Sequence, residues 1–272
     1  MLPEKLSLSI RAYMIKDVFK HPRKILPILR YAVAGKFKQV NELYFWLLII
    51  QAYVKWYKGD MPNLYNIPSS KPREKIRGYS VEENAIRTWA RADREKYLRH
   101  LLVPRDAFAG KKVLDVGCGP LPYAAIFMNC DIFGLEPLLN AFKELGFPLG
   151  DPTYSDKITY IEAPAENIPV DDNSFDVVIS VNAIDHVEDF PAAAREICRV
   201  IKPDGILHIE VHYHKPTVTE PWMLNDETVT RCFRTLGIKK ISERPYTKFY
   251  SDSTREEAER LVIWSNRKVG TL

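Results

Sequence analysis

The run Val113-Leu114-Asp115-Val116-Gly117-Cys118-Gly119-Pro120 is an apolar stretch that ends in a Gly-x-Gly turn. Glycine lets the backbone approach a ligand closely where a Cβ would collide. A turn built for a dinucleotide would carry a third glycine three residues further on, to seat a pyrophosphate at a helix N-terminus, and Pro122 stands there instead. A diphosphate cofactor is therefore disfavoured. Twenty-one positions after Asp115 comes Glu136, closing the run Ile132-Phe133-Gly134-Leu135-Glu136, where a carboxylate can accept both hydroxyls of a ribose. Together these residues point to a nucleoside that carries no phosphates.

A second group lies between residues 186 and 214, which hold four of the six histidines. His208, Glu210 and His212 alternate along one expected strand and share a face, and His214 continues the parity. Central strands of a parallel sheet are normally apolar on both faces, so polar groups there mark a site, above all near the strand's carboxyl end. His212 and His214 are nearest that end and are candidates for acceptor contact or for a base. Glu220, in Thr219-Glu220-Pro221, could line the same pocket or lie on a surface loop. His-x-His can also chelate a metal, but the sequence shows no obvious acidic partner set, and no metal is expected.

The elements that must position these groups follow from periodicity. After Lys111, short β-branched runs alternate with helical segments: Lys112–Val116, Asp131–Leu135, Lys157–Glu162, Phe175–Val181 and Gly205–Tyr213, then Ile238–Arg244 and Leu261–Asn266. Alternation of this kind implies a mostly parallel sheet with helices on both faces. Upstream, apolar residues recur at helical spacing from Leu2 to about Lys58, with Pro22 and Pro27 expected to cut the pattern into short helices. A Pro-, Asn- and Ser-rich linker with Pro62, Pro68 and Pro72 follows. Ser80 and Glu83 then form the pattern of a capping box ahead of a helical stretch over Val81–Leu102. The expected division is a helical N-terminal extension and substrate cap over 1–105 and a nucleoside-binding α/β domain over 106–272.

Asp115 to Pro120, Glu136, the run Ala165-Glu166-Asn167-Ile168-Pro169 and Asp172-Asn173-Ser174-Phe175-Asp176 resemble, in order and spacing, the successive motifs of class I S-adenosylmethionine-dependent methyltransferases. The resemblance is strong over roughly residues 111–205 and weaker elsewhere in the core. It implies a seven-stranded, mostly parallel Rossmann-like sheet and S-adenosylmethionine as cofactor. Asp115, Gly117, Cys118 and Gly119 would border its methionine portion, Glu136 would hold the ribose, and Ala165-Glu166 would lie against adenine. Asn182 would offer its backbone carbonyl to the methionine amino group. Many relatives carry Asp just before the alanine, and Pro164 stands here, which leaves adenine contact to backbone groups or to Glu166. In this fold the loop Asn182-Ala183-Ile184-Asp185-His186 faces the transferable methyl group. Asp185 and His186 thus join His212 and His214 as catalytic candidates, His186 as a base if an acceptor hydroxyl must lose a proton. A surface or helix-capping histidine is the competing reading.

At 272 residues and 46% hydrophobic content the chain can build one substantial core and a smaller appendage. Its net charge of +4 is uneven, because residues 1–60 carry +7 and the remainder −3. A net-negative body opposes phosphate-driven binding, and the loop after the fourth strand lacks the Pro-Pro-aromatic pattern of adenine amino methyltransferases, so nucleic acid is not expected as partner. The expected acceptor is a small molecule, methylated on an oxygen of a sugar, lipid-linked or secondary metabolite. The rivals are a non-catalytic cofactor-binding subunit and an RNA or protein methyltransferase. Cys118, Cys130, Cys198 and Cys232 show no paired or metal-ligand spacing, which fits reduced thiols and a cytoplasmic location. The apolar run Tyr44 to Val54 is about eleven residues, half a membrane span. With its flanking aromatic and basic residues it reads either as a helical cap, also a potential homodimer surface, or as a peripheral membrane contact through residues 1–58.

Overall fold

A computed structural model describes residues 22–64, 67–68, 77–246 and 259–267. The helical pattern expected over 2–21 lies outside the described residues. In chain order the elements are α1 (Pro22–Val33), α2 (Phe37–Lys58), β1 (Asn63–Leu64), β2 (Ile67–Pro68), α3 (Val81–Ala92), α4 (Lys96–Leu101), β3 (Lys112–Val116), β4 (Asp131–Leu135), α5 (Leu139–Leu145), α6 (Pro152–Ser155), β5 (Ile158–Ile161), β6 (Phe175–Val181), α7 (Phe190–Val200), β7 (Ile201–Tyr213), α8 (Asp226–Cys232), β8 (Lys239–Pro245) and β9 (Arg260–Ser265). Two compact units emerge, Met1–Asp93 with Leu138–Tyr154, and Arg94–Pro137 with Ser155–Leu272. The division does not follow a single cut of the chain.

The first unit is helical. Pro27 sits inside α1 without ending it, contrary to the expected break: the ring costs a backbone hydrogen bond, which the buried Ile25 and Ile28 on either side offset. The apolar run lies within the 22-residue α2, which stops at Gly59, where a left-handed φ of 85° lets the backbone N–H reach the carbonyls of Lys55 and Trp56. Tyr44, Tyr53, Trp56 and Tyr57 are buried, while Phe45 and Leu48 face outward. Tyr53 stacks on Trp89 at 4.9 Å, and Trp46 meets Phe142 and Phe147 edge to face. The rings therefore fasten α2 to α3 and to the segment that carries α5. Arg87 closes the unit with an ion pair to Asp151 at 2.6 Å. No helix among the described residues is long and apolar enough to cross a membrane.

The expected capping box is present: Ser80 Oγ accepts from the Glu83 N–H at 3.1 Å and Glu83 Oε2 accepts from the Ser80 N–H at 2.9 Å. The helical stretch it opens is not continuous to Leu102. Asp93 takes a non-helical C-cap conformation, and a new helix starts after Glu95.

The second unit holds a seven-stranded sheet in the order β5-β4-β3-β6-β7-β9-β8, parallel from β5 to β7 and antiparallel at β9 and β8. This is the mostly parallel Rossmann-like sheet expected from the sequence. Val113, Leu114 and Val116 on β3 and Val177, Val178 and Ile179 on β6 are all buried, as strands covered on both faces must be. From β3 the chain winds outward through β4 and β5, then returns to β6 on the other side. The strand order reverses at β3 and β6, and open α/β sheets bind ligands at the carboxyl ends of strands at such a switch point.

Candidate active site

Two groups of residues converge on the carboxyl ends of these strands. The first begins where β3 stops. Gly117 and Gly119 have left-handed φ angles of 71° and 62°, which a glycine adopts without strain. The Gly117 and Cys118 N–H groups both donate to the Leu135 carbonyl, at 2.8 and 3.2 Å, which ties the turn to the end of β4. A Cβ at Gly117 would fall 2.4 Å from the Cβ of Ala183, so glycine is required to admit the loop after β6. The Cys118 sulfur lies beside Gly134; burial, then the charges of Asp115 and Glu136, push its thiol pKa up and keep it protonated. Cys118 can offer the site only its backbone.

Glu136 is buried at the end of β4, and its Oε2 accepts from the Gly119 N–H at 3.1 Å. The carboxylate predicted to bind a ribose is thus fixed at the Gly-x-Gly turn. Asp115 is buried too, and burial raises its pKa to about 7 against a hydrogen bond from Tyr97. The Tyr97 hydroxyl, on α4, donates to Asp115 Oδ2 at 2.9 Å, a partner that sequence reasoning missed. Ala165 is buried, whereas Glu166 turns to the start of α7, where Oε1 accepts from the Glu188 and Asp189 N–H groups at 2.7 and 3.2 Å. Arg199 pins the segment that follows, bonding the Ile168 and Val170 carbonyls and Asp172 at 2.8 Å each.

The second group is centred on Glu220. Asn182 ends β6 with a left-handed φ of 51° and donates its N–H to the Glu210 carbonyl at 3.1 Å, which swings the following turn, Ile184–His186, toward the end of β7. Asp185 is fully buried; Oδ2 accepts from the His212 N–H at 3.1 Å and Oδ1 has no hydrogen-bond partner among the described residues. Burial raises the Asp185 pKa. Glu220 is carried back over the strand end by a tight turn, in which its N–H donates to Thr217 Oγ1 at 3.0 Å. Its carboxylate lies 3.3 Å from His186 Nε2, 3.8 Å from His212 Nδ1 and 3.4 Å from His214 Nε2. Burial alone would raise its pKa, but the neighbouring imidazoles of His186, His212 and His214 outweigh that and hold it far below the usual carboxylate range.

The polar face of β7 is divided. His208 is buried, with Nε2 2.7 Å from the Leu101 carbonyl at the end of α4, and burial lowers its pKa. Glu210 is locked between His100 Nδ1 at 2.6 Å and Arg244 at 2.7 Å. These two brace the sheet, and only His212 and His214 reach the group around Glu220. Glu259, 3.3 Å from His212 Nε2, and Tyr246, whose ring is 4.5 Å from that of His212, complete the wall. Neither residue stands near the others in sequence.

Comparison with known proteins agrees with this geometry. Residues 114–209 match the model of a family described as a methyltransferase domain. Methyltransferase GfsG of Streptomyces halstedii is 30% identical over 135 residues, 48% of this chain and 48% of its own. Sterol 24-C-methyltransferase ERG6B of Gibberella zeae is 33% identical over 123 residues, 43% of this chain and 31% of its own. The match thus spans half or less of the length of these curated relatives. Among solved structures, the YcgJ protein of Bacillus subtilis superposes with a TM-score of 0.51 at 15% identity, covering 65% of this chain and 99% of that one, a likeness of fold alone. The motifs, the sheet and the matched family model agree: this chain carries a methyltransferase domain over residues 114–209.

Proposed function

We propose that the chain methylates an oxygen of a small-molecule acceptor, such as a sugar, lipid-linked or secondary metabolite, with S-adenosylmethionine as donor. The donor supplies an electrophilic methyl group on a sulfonium. The residues present fit it: Gly117 and Gly119 keep the turn free of side chains, Glu136 offers a buried carboxylate for the ribose, and Asn182 turns the chain so that its carbonyl can meet an ammonium. Displacement from a sulfonium needs alignment and a dry site above all, and Ile184, Asp185, His212 and Tyr213 are all buried.

The observation that carries the oxygen reading is the approach of His186, on the loop that follows β6, to Glu220, beyond β7, at 3.3 Å. His186 takes the hydroxyl proton as the oxygen attacks, and the Glu220 carboxylate stabilises the imidazolium that results. A second reading, methylation of a carbon, is favoured by the names of several relatives, sterol 24-C-methyltransferases among them. In that case the same pair would accept a proton released from the methylated carbon.

Purified protein incubated with the donor and pooled metabolites, a lipid extract included, should release S-adenosylhomocysteine with one pool, and mass spectrometry should find a product heavier by one methylene. An O-methyl product supports the proposal and a C-methyl product the second reading. Cofactor binding with no turnover on any pool would instead favour a subunit that supports a partner.

A further inference from the structure

We propose that Asp185, His212, His214 and Glu220 form a binding site for one divalent transition-metal ion of the zinc class. All four are buried, and one ligand atom from each lies within 4.8 Å of every other. Ligands on a tetrahedral zinc stand about 3.3 Å apart, so side-chain movements of about an ångström would close the set. Two imidazoles and two carboxylates are a donor set that suits zinc, cobalt, manganese or ferrous ions.

Two further observations point to a cation. Asp185 Oδ1 is fully buried with no hydrogen-bond partner among the described residues, and an unpartnered buried carboxylate oxygen is costly unless something positive faces it. Both histidines also have their second nitrogen directed at an acceptor. His214 Nδ1 lies 2.6 Å from the Lys215 carbonyl, which requires a proton on Nδ1 and leaves the lone pair on Nε2, the nitrogen that faces Glu220 Oε2 at 3.4 Å. His212 presents Nδ1 to Glu220 and Nε2 to Glu259 Oε2 at 3.3 Å. The Lys215 carbonyl behind His214 fixes that imidazole's tautomer and orientation, as a carbonyl does behind metal-bound histidines. The Asp185 carboxylate is itself held by the His212 N–H at 3.1 Å. His186 stands at the edge of the set and is not required as a ligand. A fifth coordination partner could be the acceptor's oxygen; that role rests on the methyl-transfer reading, whereas binding of the ion does not.

The test uses the full chain, freed of metal by chelator and titrated with Co²⁺, followed by visible absorption, and with Zn²⁺, followed by calorimetry. One equivalent should bind, and His214→Ala and Glu220→Gln should each lower affinity at least tenfold, while the surface variant Glu243→Gln leaves it unchanged. Circular dichroism of the metal-free variants checks that they fold. If either variant fails to fold, the stoichiometry of the unmodified chain and displacement of Co²⁺ by Zn²⁺ decide. Absence of saturable one-to-one binding, or affinity unchanged in folded His214→Ala and Glu220→Gln, overturns the site and leaves a proton-bridged histidine and carboxylate group in its place. S-adenosylhomocysteine binding, measured on the same samples, separates this result from failure of the methyl-transfer reading.

Discussion

Gly117 and Ala183 meet at the carboxyl ends of β3 and β6, so closely that a Cβ on the glycine would stand 2.4 Å from that of the alanine. The Gly-x-Gly turn and the loop that carries Asp185 and His186 are therefore fitted to one another. A change in one strand end must be felt in both halves of the site.

Cofactor affinity tests the first half. Gly119→Val adds a branched side chain at a φ of 62°, which such residues adopt only under strain, and should abolish binding of S-adenosylhomocysteine. Glu136→Ala removes a charged acceptor, and hydrogen bonds to charged groups contribute about 1.5–3 kcal/mol. Calorimetry should record a loss of roughly tenfold to a hundredfold. Near-normal affinity in both variants would remove the proposed cofactor site.

Turnover tests the second half. His186→Ala should lower kcat by roughly a hundredfold to ten-thousandfold, the usual contribution of a positioned base, with S-adenosylhomocysteine affinity almost unchanged. Unaltered kcat on the acceptor found by the metabolite screen would mean that alignment alone drives the reaction.

Asp115 predicts a pH dependence of stability. Its pKa of about 7 in the folded chain lies above the ordinary value of 3.8, so the folded state holds a proton that the unfolded chain has lost. The stability linked to that proton is complete below about pH 4 and is lost as pH rises to about 7. Asp115→Asn, which still accepts from Tyr97, should remove this loss. Urea denaturation at several pH values should show the variant gaining on the unmodified chain between pH 5 and 7, by a few kcal/mol in all.

Glu210 predicts the cost of an uncompensated charge. It is fully buried and, among the described residues, is paired with His100 and Arg244. Arg244→Met should destabilise the chain by up to about 3 kcal/mol, and the double change to Arg244→Met with Glu210→Gln should recover part of that, because removing one partner of a buried pair costs more than removing both. An additive double variant in thermal denaturation would contradict the pairing.

The convergence of the Gly-x-Gly turn and Glu136 was legible because its signals are local. Asp115, Gly117 and Gly119 are consecutive on one turn, and the strand periods that place Glu136 beside them can be read within a few residues. The sheet was legible for the same reason. The second half was only partly so. Parity along β7 put His208, Glu210, His212 and His214 on one face, but nothing local separates the two that brace α4 and β8 from the two that meet Glu220. Tyr97 and Glu259 reach the site, and His100 and Arg244 reach Glu210, across long stretches of chain, and no short-range pattern marks them. The acidic partners of the His-x-His pair likewise become visible only when the turns at 182–186 and 217–220 bring Asp185 and Glu220 to the end of the strand. Pro27 was misread because propensity alone says nothing of the burial that holds α1 together.

The helical unit takes its last segment, Leu138–Tyr154, from between two strands of the sheet. During synthesis its amino-terminal helices emerge first, yet Trp46 lacks Phe142 and Phe147, and Arg87 lacks Asp151, until the ribosome has passed residue 151. The nascent chain must therefore keep a half-built apolar surface in solution while β3 and β4 are made. That interval is when a chaperone would have most to hold, and a ribosome stalled before residue 140 should expose a species far more prone to aggregation than the finished protein.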